Sequence, residues 1–288
     1  MKSGIITLVG RSNAGKSTLL NTLVGTKLAA VTHRPQTTRN IIHGVLNYPQ
    51  GQATPYGGQA VFVDTPGVFK EKTPISGTLT KRVHESIKDI DIAMYVADPS
   101  REIGAEERAI LSMVRRLPIP KILVINKSDL PKEEKLYLED YKNLAEDFDA
   151  VFELSAMLNR HVQPLRDKVF ELLPEGELLY PLDQKTNIDP KFWTAEIIRE
   201  KIFLALRKEV PYTTHVEVES IEDKPDLYVI KAKVFTNNVR YKKMIIGANG
   251  RALKEIGIAA RKELEAALNK KIFLELEVET DKRWMDRI

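Results

Sequence analysis

The chain contains no cysteine among its 288 residues, so disulfide bonds and thiolate chemistry are excluded. Its five histidines are scattered, without the spacing typical of metal ligands. No apolar run approaches the length of a membrane-spanning helix, and the N-terminus leads almost directly into a strand-like stretch, so we expect neither a transmembrane helix nor a signal peptide. Internal repeats and low-complexity tracts are absent. The composition agrees with a cytosolic enzyme without narrowing the class, and the 43% hydrophobic content is enough for two domains with their own cores.

A glycine-rich loop follows the apolar run 5–9 and precedes a helical pattern. Residues 10–17 match G-x-x-x-x-G-K-[ST], whose glycines allow a turn that directs backbone N–H groups at phosphates. Lys16 is expected to reach the terminal phosphates and Ser17 to bind Mg²⁺. A chance match in a turn is the alternative, and the strand–loop–helix context argues against it. The expected phosphate-binding residues are Gly10, Arg11, Ser12, Asn13, Ala14, Gly15, Lys16, Ser17 and Thr18.

The base is indicated by polar residues that follow two later strand patterns. Asn126, Lys127 and Asp129 come after the apolar run 122–125, at the strand end where ligands bind in open α/β sheets. The Asp129 carboxylate can accept hydrogen bonds from N1–H and the exocyclic amine of guanine. Adenine lacks that donor pair, so a buried Asp129 carboxylate that faced it would stay unpaired. That loss would cost about 1–3 kcal/mol of binding free energy. Downstream, the Ser155-Ala156 pair is expected to offer a backbone N–H to the guanine O6. Taken alone, either motif is compatible with an ordinary polar turn.

Two further segments are typical of loops that sense a terminal phosphate. Asp64, Thr65, Pro66 and Gly67 follow an apolar strand pattern. Asp64 is expected to hold Mg²⁺ through water, and the Gly67 N–H to contact the γ-phosphate. In the polar loop 36–40, one of two adjacent threonines should complete the Mg²⁺ shell. We favour Thr38, although an ordinary turn is the alternative.

Together the five segments closely resemble a P-loop GTPase. One departure concerns the residue after Gly67, where Ras-like GTPases have a glutamine that orients water but this chain has Val68. Hydrolysis is therefore expected to be slow, or assisted by another group. In related GTPases an asparagine equivalent to Asn13 helps hold potassium against the phosphates. The alternative is that Asn13 only tolerates the backbone geometry of the loop. The expected catalytic residues are Lys16, Thr38, Gly67 and Asn13.

Alternating strand and helix patterns predict an α/β domain over residues 1–173. They indicate a mostly parallel six-stranded sheet with helices on both faces, including one continuous helix over 132–148. The segment 48–58 is predicted to connect two strands of a hairpin. A polar, turn-rich linker is expected over 174–190, followed by a second domain over 191–288.

The second domain has the pattern α-β-β-α-α-β, with a G-x-x-G loop at 247–250. This order resembles a type II KH domain, an α+β fold in which that loop clamps single-stranded RNA. Residues 231–271 contain eleven Lys or Arg and three Glu, as phosphate-backbone binding requires. A solvated helix face is the alternative. The candidate RNA-binding residues are Lys242, Lys243, Gly247, Ala248, Asn249, Gly250, Arg251 and Lys254.

The pairing of these two domains resembles the Era family of ribosome-assembly GTPases over essentially the full chain. Further matching segments lie at 35–39, 173–176, 196–201 and 209–212. The resemblance implies a Mg²⁺-dependent GTPase that converts GTP to GDP, binds the 3′ region of small-subunit (16S) ribosomal RNA and assists assembly of the 30S subunit. It also implies a cytoplasmic monomer, with peripheral contact to the inner membrane in some members.

Two other classes of protein remain open at this stage. One is a GTPase that belongs to an RNA-modifying enzyme, which would need catalytic chemistry not evident in the motifs. The other is an RNA-binding module with an inactive nucleotide domain, which conflicts with the five intact segments. Guanine-nucleotide binding, measured beside a Lys16→Ala variant, separates these classes.

Overall fold

The computed structural model describes residues 1–29, 42–49, 57–64, 90–206 and 210–283. These residues form two compact units, the first ending at Asn187 and the second beginning at Ile188. Across the described part of the chain, no helix is both long and apolar enough to cross a membrane.

The first unit is built around a six-stranded sheet. Its elements are β1 (Lys2–Val9), α1 (Lys16–Val24), β2 (Ile42–Tyr48), β3 (Gly58–Asp64), β4 (Ile92–Ala97), α2 (Ala105–Arg115), β5 (Lys121–Ile125), α3 (Leu138–Lys142), β6 (Ala150–Glu153) and α4 (Val162–Leu172). The strands lie in the order β2-β3-β1-β4-β5-β6. β2 pairs antiparallel with β3, whereas β1 runs parallel to both β3 and β4, β4 to β5, and β5 to β6. This arrangement confirms the mostly parallel α/β sheet predicted from the sequence.

The core of this unit lies along the central strands. Every residue of β4 is buried, as expected for a parallel strand covered on both faces. α2 buries Ile110, Leu111 and Val114 in the cluster that contains Tyr95 and Leu123. Because β1, β4, β5 and β6 run in the same direction, the loops after them meet at one edge of the sheet.

The continuous helix predicted over 132–148 is wrong. The structure has a 3₁₀ turn at Lys132–Glu134, then α3, then another 3₁₀ turn at Ala145–Asp147. The Tyr137 N–H donates to the carbonyl of Pro99, 3.0 Å away, instead of entering a helical ladder. Apolar residues still reach the core at helix-like spacing, with Tyr141 fully buried, which explains why the pattern is misleading.

The segment 174–187, predicted as part of a linker, is hydrogen-bonded to the first unit. The Ser3 N–H donates to the carbonyl of Pro174, and the Val45 N–H donates to that of Lys185. Gly44 and Thr186 form an antiparallel bridge. We call residues 174–187 the strap, because they are bonded to β1 near Pro174 and to the edge strand β2 near Lys185.

One buried side chain holds the middle of the strap. Gln59 on β3 is completely buried, and its Oε1 accepts hydrogen bonds from the Leu179 and Tyr180 N–H groups at 2.8 Å. Its Nε2 donates to the carbonyl of Tyr180 at 2.8 Å and to the side chain of Asn47 at 2.9 Å. Beside it, His43 Nδ1 lies 2.8 Å from the Tyr180 hydroxyl.

The second unit confirms the α+β KH fold. Its elements are α5 (Pro190–Ala205), β7 (Thr214–Lys224), β8 (Leu227–Thr236), α6 (Val239–Ile246), α7 (Arg251–Leu268) and β9 (Lys271–Thr280). The sheet has the order β7-β8-β9, with β7 antiparallel and β9 parallel to β8. Asp189 caps α5 by accepting from the N–H groups of Lys191 and Phe192, and Pro190 occupies the first helical position.

Candidate functional site

The glycine-rich loop after β1 forms a cradle around Lys16. Gly15 has φ 98°, and a Cβ there would collide with the amide of Asn126, so only glycine fits. Lys16 is buried, and its Nζ donates to the carbonyls of Gly10 and Arg11, each at 2.9 Å. Burial lowers the pKa of Lys16, while the charge of Asp64 opposes that shift. The loop therefore presents a buried cationic group together with the N-terminus of α1.

The predicted Mg²⁺ ligands Ser17 and Asp64 lie side by side. The Ser17 hydroxyl donates to Asp64 Oδ2 at 2.5 Å, and Asp64 is fully buried at the end of β3. Among the described residues, no cluster of three or more His, Cys, Asp or Glu could hold a metal by itself. One carboxylate plus one hydroxyl is nevertheless the partial oxygen shell that Mg²⁺ uses when nucleotide phosphates and water supply the rest. The residues present fit that ion.

Asn126 ties the candidate base site to the phosphate loop. Its Nδ2 donates to the carbonyl of Ala14, and its Oδ1 accepts from the Ala156 N–H, both at 3.0 Å. Of the two backbone N–H groups considered for guanine O6, that of Ala156 is thus bonded to Asn126, and that of Ser155 donates to the carbonyl of Arg160 at 3.1 Å. Ser155 donates a short hydrogen bond to the Asp129 carboxylate, which places the carboxylate beside the loop after β6.

Two acidic residues at the site were missed by the sequence analysis. Asp98, which directly follows β4, pairs with Lys127, and Glu107 on α2 pairs with Arg11 at 2.8 Å. Both carboxylates are almost completely buried. Two sequence features could have revealed them. Asp98 directly follows a fully apolar strand, and Glu107 lies on the same helical stripe as Ile110 and Val114.

Several predicted nucleotide-sensing residues cannot be placed. Thr37, Thr38, Thr65, Pro66, Gly67 and Val68 lie outside the described residues, so their roles stay predictions.

The G-x-x-G loop joins α6 to α7 in the second unit. Gly247 has φ 75°, and a Cβ there would collide with Ala252, which explains the requirement for glycine. Asn249 also has a left-handed backbone. A cavity of about 410 Å³ begins at this loop and continues between α7 and β9. It is lined by Gly250, Leu253, Lys254, Gly257, Ile258, Arg261, Leu274 and Leu276.

Two of the candidate RNA-binding residues, Gly250 and Lys254, line that cavity. Lys242 and Lys243 lie on α6, and Arg251 is exposed at the start of α7. Arg261 and the apolar lining residues were not singled out as RNA-binding residues from the sequence. Spacing of three and four along α7 was the signal for Leu253, Ile258 and Arg261, whereas Leu274 and Leu276 alternate along β9.

Comparisons with known proteins agree with the division of the chain into two units. Residues 5–127 match a family model described as a 50S ribosome-binding GTPase, and residues 209–285 match a KH domain model. The GTPase Era of Thermoanaerobacter sp. (strain X514) is 39% identical over 99% of this chain and 93% of its own length. The GTPase Era of Halothermothrix orenii is 35% identical over 99% of this chain and 95% of its own length.

Two solved structures resemble the whole chain. A single-residue variant of Aquifex aeolicus Era, bound to GDP and AlF₄⁻, has a TM-score of 0.89 and 32% identity, covering 100% of this chain and 96% of that one. Era in complex with MgGDPNP and nucleotides 1506–1542 of 16S ribosomal RNA has the same score, identity and coverage.

The fold and the loops therefore define a P-loop GTPase joined to a type II KH domain. Full-length identity well above 30% identifies the particular family as well. The chain belongs to the GTPase Era family and is a GTPase.

Proposed function

We propose that this GTPase is a switch that binds the 3′ region of small-subunit (16S) ribosomal RNA through its KH domain and assists assembly of the 30S subunit. The observation that carries the proposal is the match, over the entire chain, to Era holding MgGDPNP and a 16S ribosomal RNA fragment. The basic residues at 231–271 and the cavity beside the G-x-x-G loop support it, because RNA binding needs both phosphate contacts and room for bases.

The described residues can perform most of the nucleotide chemistry. The loop at 10–17 and α1 would bind the phosphates, Lys16 would neutralise their charge, and Asn126 with Asp129 would read guanine. Ser17 and Asp64 would hold Mg²⁺, which neutralises charge that develops on the transferred phosphate. Thr38 and Gly67 are the proposed sensors of the γ-phosphate. Since Val68 cannot orient water, turnover is slow unless a further group assists.

RNA binding is tested by placing two negative charges in the G-x-x-G loop. Ala248→Asp combined with Asn249→Asp should abolish binding of a 16S 3′-end fragment, because the charges repel phosphates. The control is Ala266→Asp with Ala267→Asp, which adds the same charges at exposed positions near the far end of α7. Equal RNA affinity of the two variants would refute the proposed interface. Crosslinking to cellular RNA then tests the identity of the target.

Potassium is proposed as an activator through Asn13. Asn13 has φ 65°, a left-handed conformation that asparagine tolerates, so its backbone role must be separated from any ion-binding role. Asn13→Gly keeps the backbone conformation and removes the side chain. We expect faster GTP turnover in potassium than in sodium for the wild type, and equal rates for Asn13→Gly. Equal wild-type rates in the two salts would rule out the activation.

We further propose a cytoplasmic monomer that makes peripheral contact with the inner face of the cell membrane. Family resemblance supports this location. Sedimentation gives the oligomeric state, and membrane fractions prepared at low salt should retain a part of the cellular protein, which a high-salt wash should release. A protein found entirely in the soluble fraction under low salt would contradict the membrane contact.

A further inference from the structure

An ion pair spans two strands at the candidate base site. The Lys127 ammonium donates to Asp98 Oδ2 at 2.5 Å. Asp98 follows β4 and Lys127 follows β5, and β4 lies between β5 and the strand that carries the phosphate loop. The pair therefore connects the loop after β5, which is expected to bind the base, with the loop after β4. Both loops lie at the edge of the sheet where the parallel strands end and where the nucleotide is expected to bind.

The carboxylate is a fixed acceptor. Only 1% of the Asp98 surface is exposed, and its second oxygen accepts from the Ser100 N–H at 3.1 Å and the Ser100 hydroxyl at 2.6 Å. Burial raises the pKa of Asp98, but hydrogen bonds from Lys127 and Ser100 outweigh burial and leave that pKa below its ordinary value. Asp98 is therefore ionised at neutral pH.

Lys127, in contrast, needs an anchor. Its backbone has φ 62°, which is unfavourable for a residue with a side chain, and its side chain is 32% exposed. A free lysine side chain has many rotamers, and ordering it when a ligand binds has an entropic cost. Asp98 holds the Lys127 ammonium at the end of β4 before the nucleotide binds, so the binding step does not include that entropic cost.

We infer that Asp98 is a positioning residue for guanine-nucleotide binding, which acts by holding Lys127 in its binding conformation through their ion pair. This inference rests on the proposed nucleotide site but assigns a role to a residue outside the recognised motifs. Asp98 itself contacts no nucleotide in this scheme. Its effect should consequently disappear when the ammonium is absent.

The test is a double-mutant cycle on the full chain, using a fluorescent GDP analogue. Asp98→Asn keeps the shape and the acceptor for Ser100 but removes the charge. We expect its Kd to rise about tenfold, the low end of the loss for a charged hydrogen bond because Lys127 is partly exposed. Lys127→Met should weaken binding at least as much, and adding Asp98→Asn to Lys127→Met should change nothing further.

The controls separate this role from general stability. Asp147→Asn removes a carboxylate from a largely exposed ion pair, in which Asp147 Oδ2 lies 2.5 Å from a guanidinium nitrogen of Arg115. This pair lies at the opposite end of the parallel strands, so the substitution should leave the Kd for the nucleotide unchanged. An equal loss from Asp98→Asn in the wild-type and Lys127→Met backgrounds would show a purely structural role. If Asp98→Asn does not fold, Lys127→Met decides alone, since wild-type affinity in that variant overturns the inference. A wild type that binds no guanine nucleotide would instead refute the proposed function.

Discussion

Replacing Gln59 by leucine should release the strap from the sheet. The substitution conserves approximate size but removes all four hydrogen bonds that this fully buried amide makes. Leaving one buried polar group unpaired costs about 1–3 kcal/mol. Leu179 is about half exposed, so part of the strap can turn toward water instead. Counting two groups at the lower end of that range, we expect a loss of about 2 kcal/mol in the unfolding free energy.

Amide hydrogen exchange and thermal unfolding both measure this effect. The Leu179 and Tyr180 amides should exchange faster in Gln59→Leu, because both donate to Gln59 in the wild type. The midpoint of unfolding should fall by about 4–8 °C for a domain of this size. Gln163→Leu, at an exposed glutamine of α4, is the matched control and should change neither quantity. Unaltered exchange at both amides in Gln59→Leu would refute this account of how the strap is held.

Three other predictions follow from the nucleotide site and the strap. Asp129→Asn should reverse the base preference from guanine toward xanthine nucleotides, because the new amide can donate a hydrogen bond to a xanthine carbonyl. Competition assays with GDP and XDP measure this preference, and a retained preference for guanine would contradict the prediction. Saturating RNA should strengthen GTP binding by about 1–3 kcal/mol, as measured by titration with and without the 16S fragment, and an unchanged Kd would refute coupling. Burial lowers the pKa of His43 below its ordinary 6.5, so its contribution to stability is complete above that value and lost as pH falls toward the lowered pKa. Acidification from pH 7.5 to 5.5 should therefore lower the protection factors of the strap amides, that is, their protection relative to the intrinsic exchange rate at each pH. His43→Gln should remove that part of the pH dependence, and identical profiles would contradict the assignment.

Motif-based features were predictable because local chemistry determines them. Lys16, Ser17 and Asp64 could be placed from the sequence since each follows a strand with a recognisable apolar pattern. The order of elements in the KH unit was also clear, because alternating strands and amphipathic helices have different periods. What local patterns cannot show is pairing between distant residues. Nothing near Asp98 in the sequence indicates that its partner is Lys127.

The strap is a second case in which long-range contacts determine the structure. Residues 174–190 are polar and contain turn-forming residues, which is the composition of a flexible linker. Contacts with the distant strands of the sheet order them instead. Among these contacts are the hydrogen bonds of Gln59, a polar residue buried in β3 whose amide both accepts from and donates to the strap. A buried amide with every hydrogen bond satisfied specifies one arrangement of its partners, because any shift leaves a group unpaired.

This arrangement suggests a physical route for the predicted coupling between RNA binding and GTP binding. β2 begins at Ile42, four residues after Thr38, the predicted sensor of the γ-phosphate. The strap is bonded to β2 at His43 and Val45 and leads directly to Asp189, the cap of the first KH helix. A change at the start of β2 would therefore alter the hydrogen bonds of the strap before it reached the KH unit. Gln59→Leu loosens the same connection, so it should reduce the coupling free energy while leaving the separate affinities for GTP and RNA close to those of the wild type.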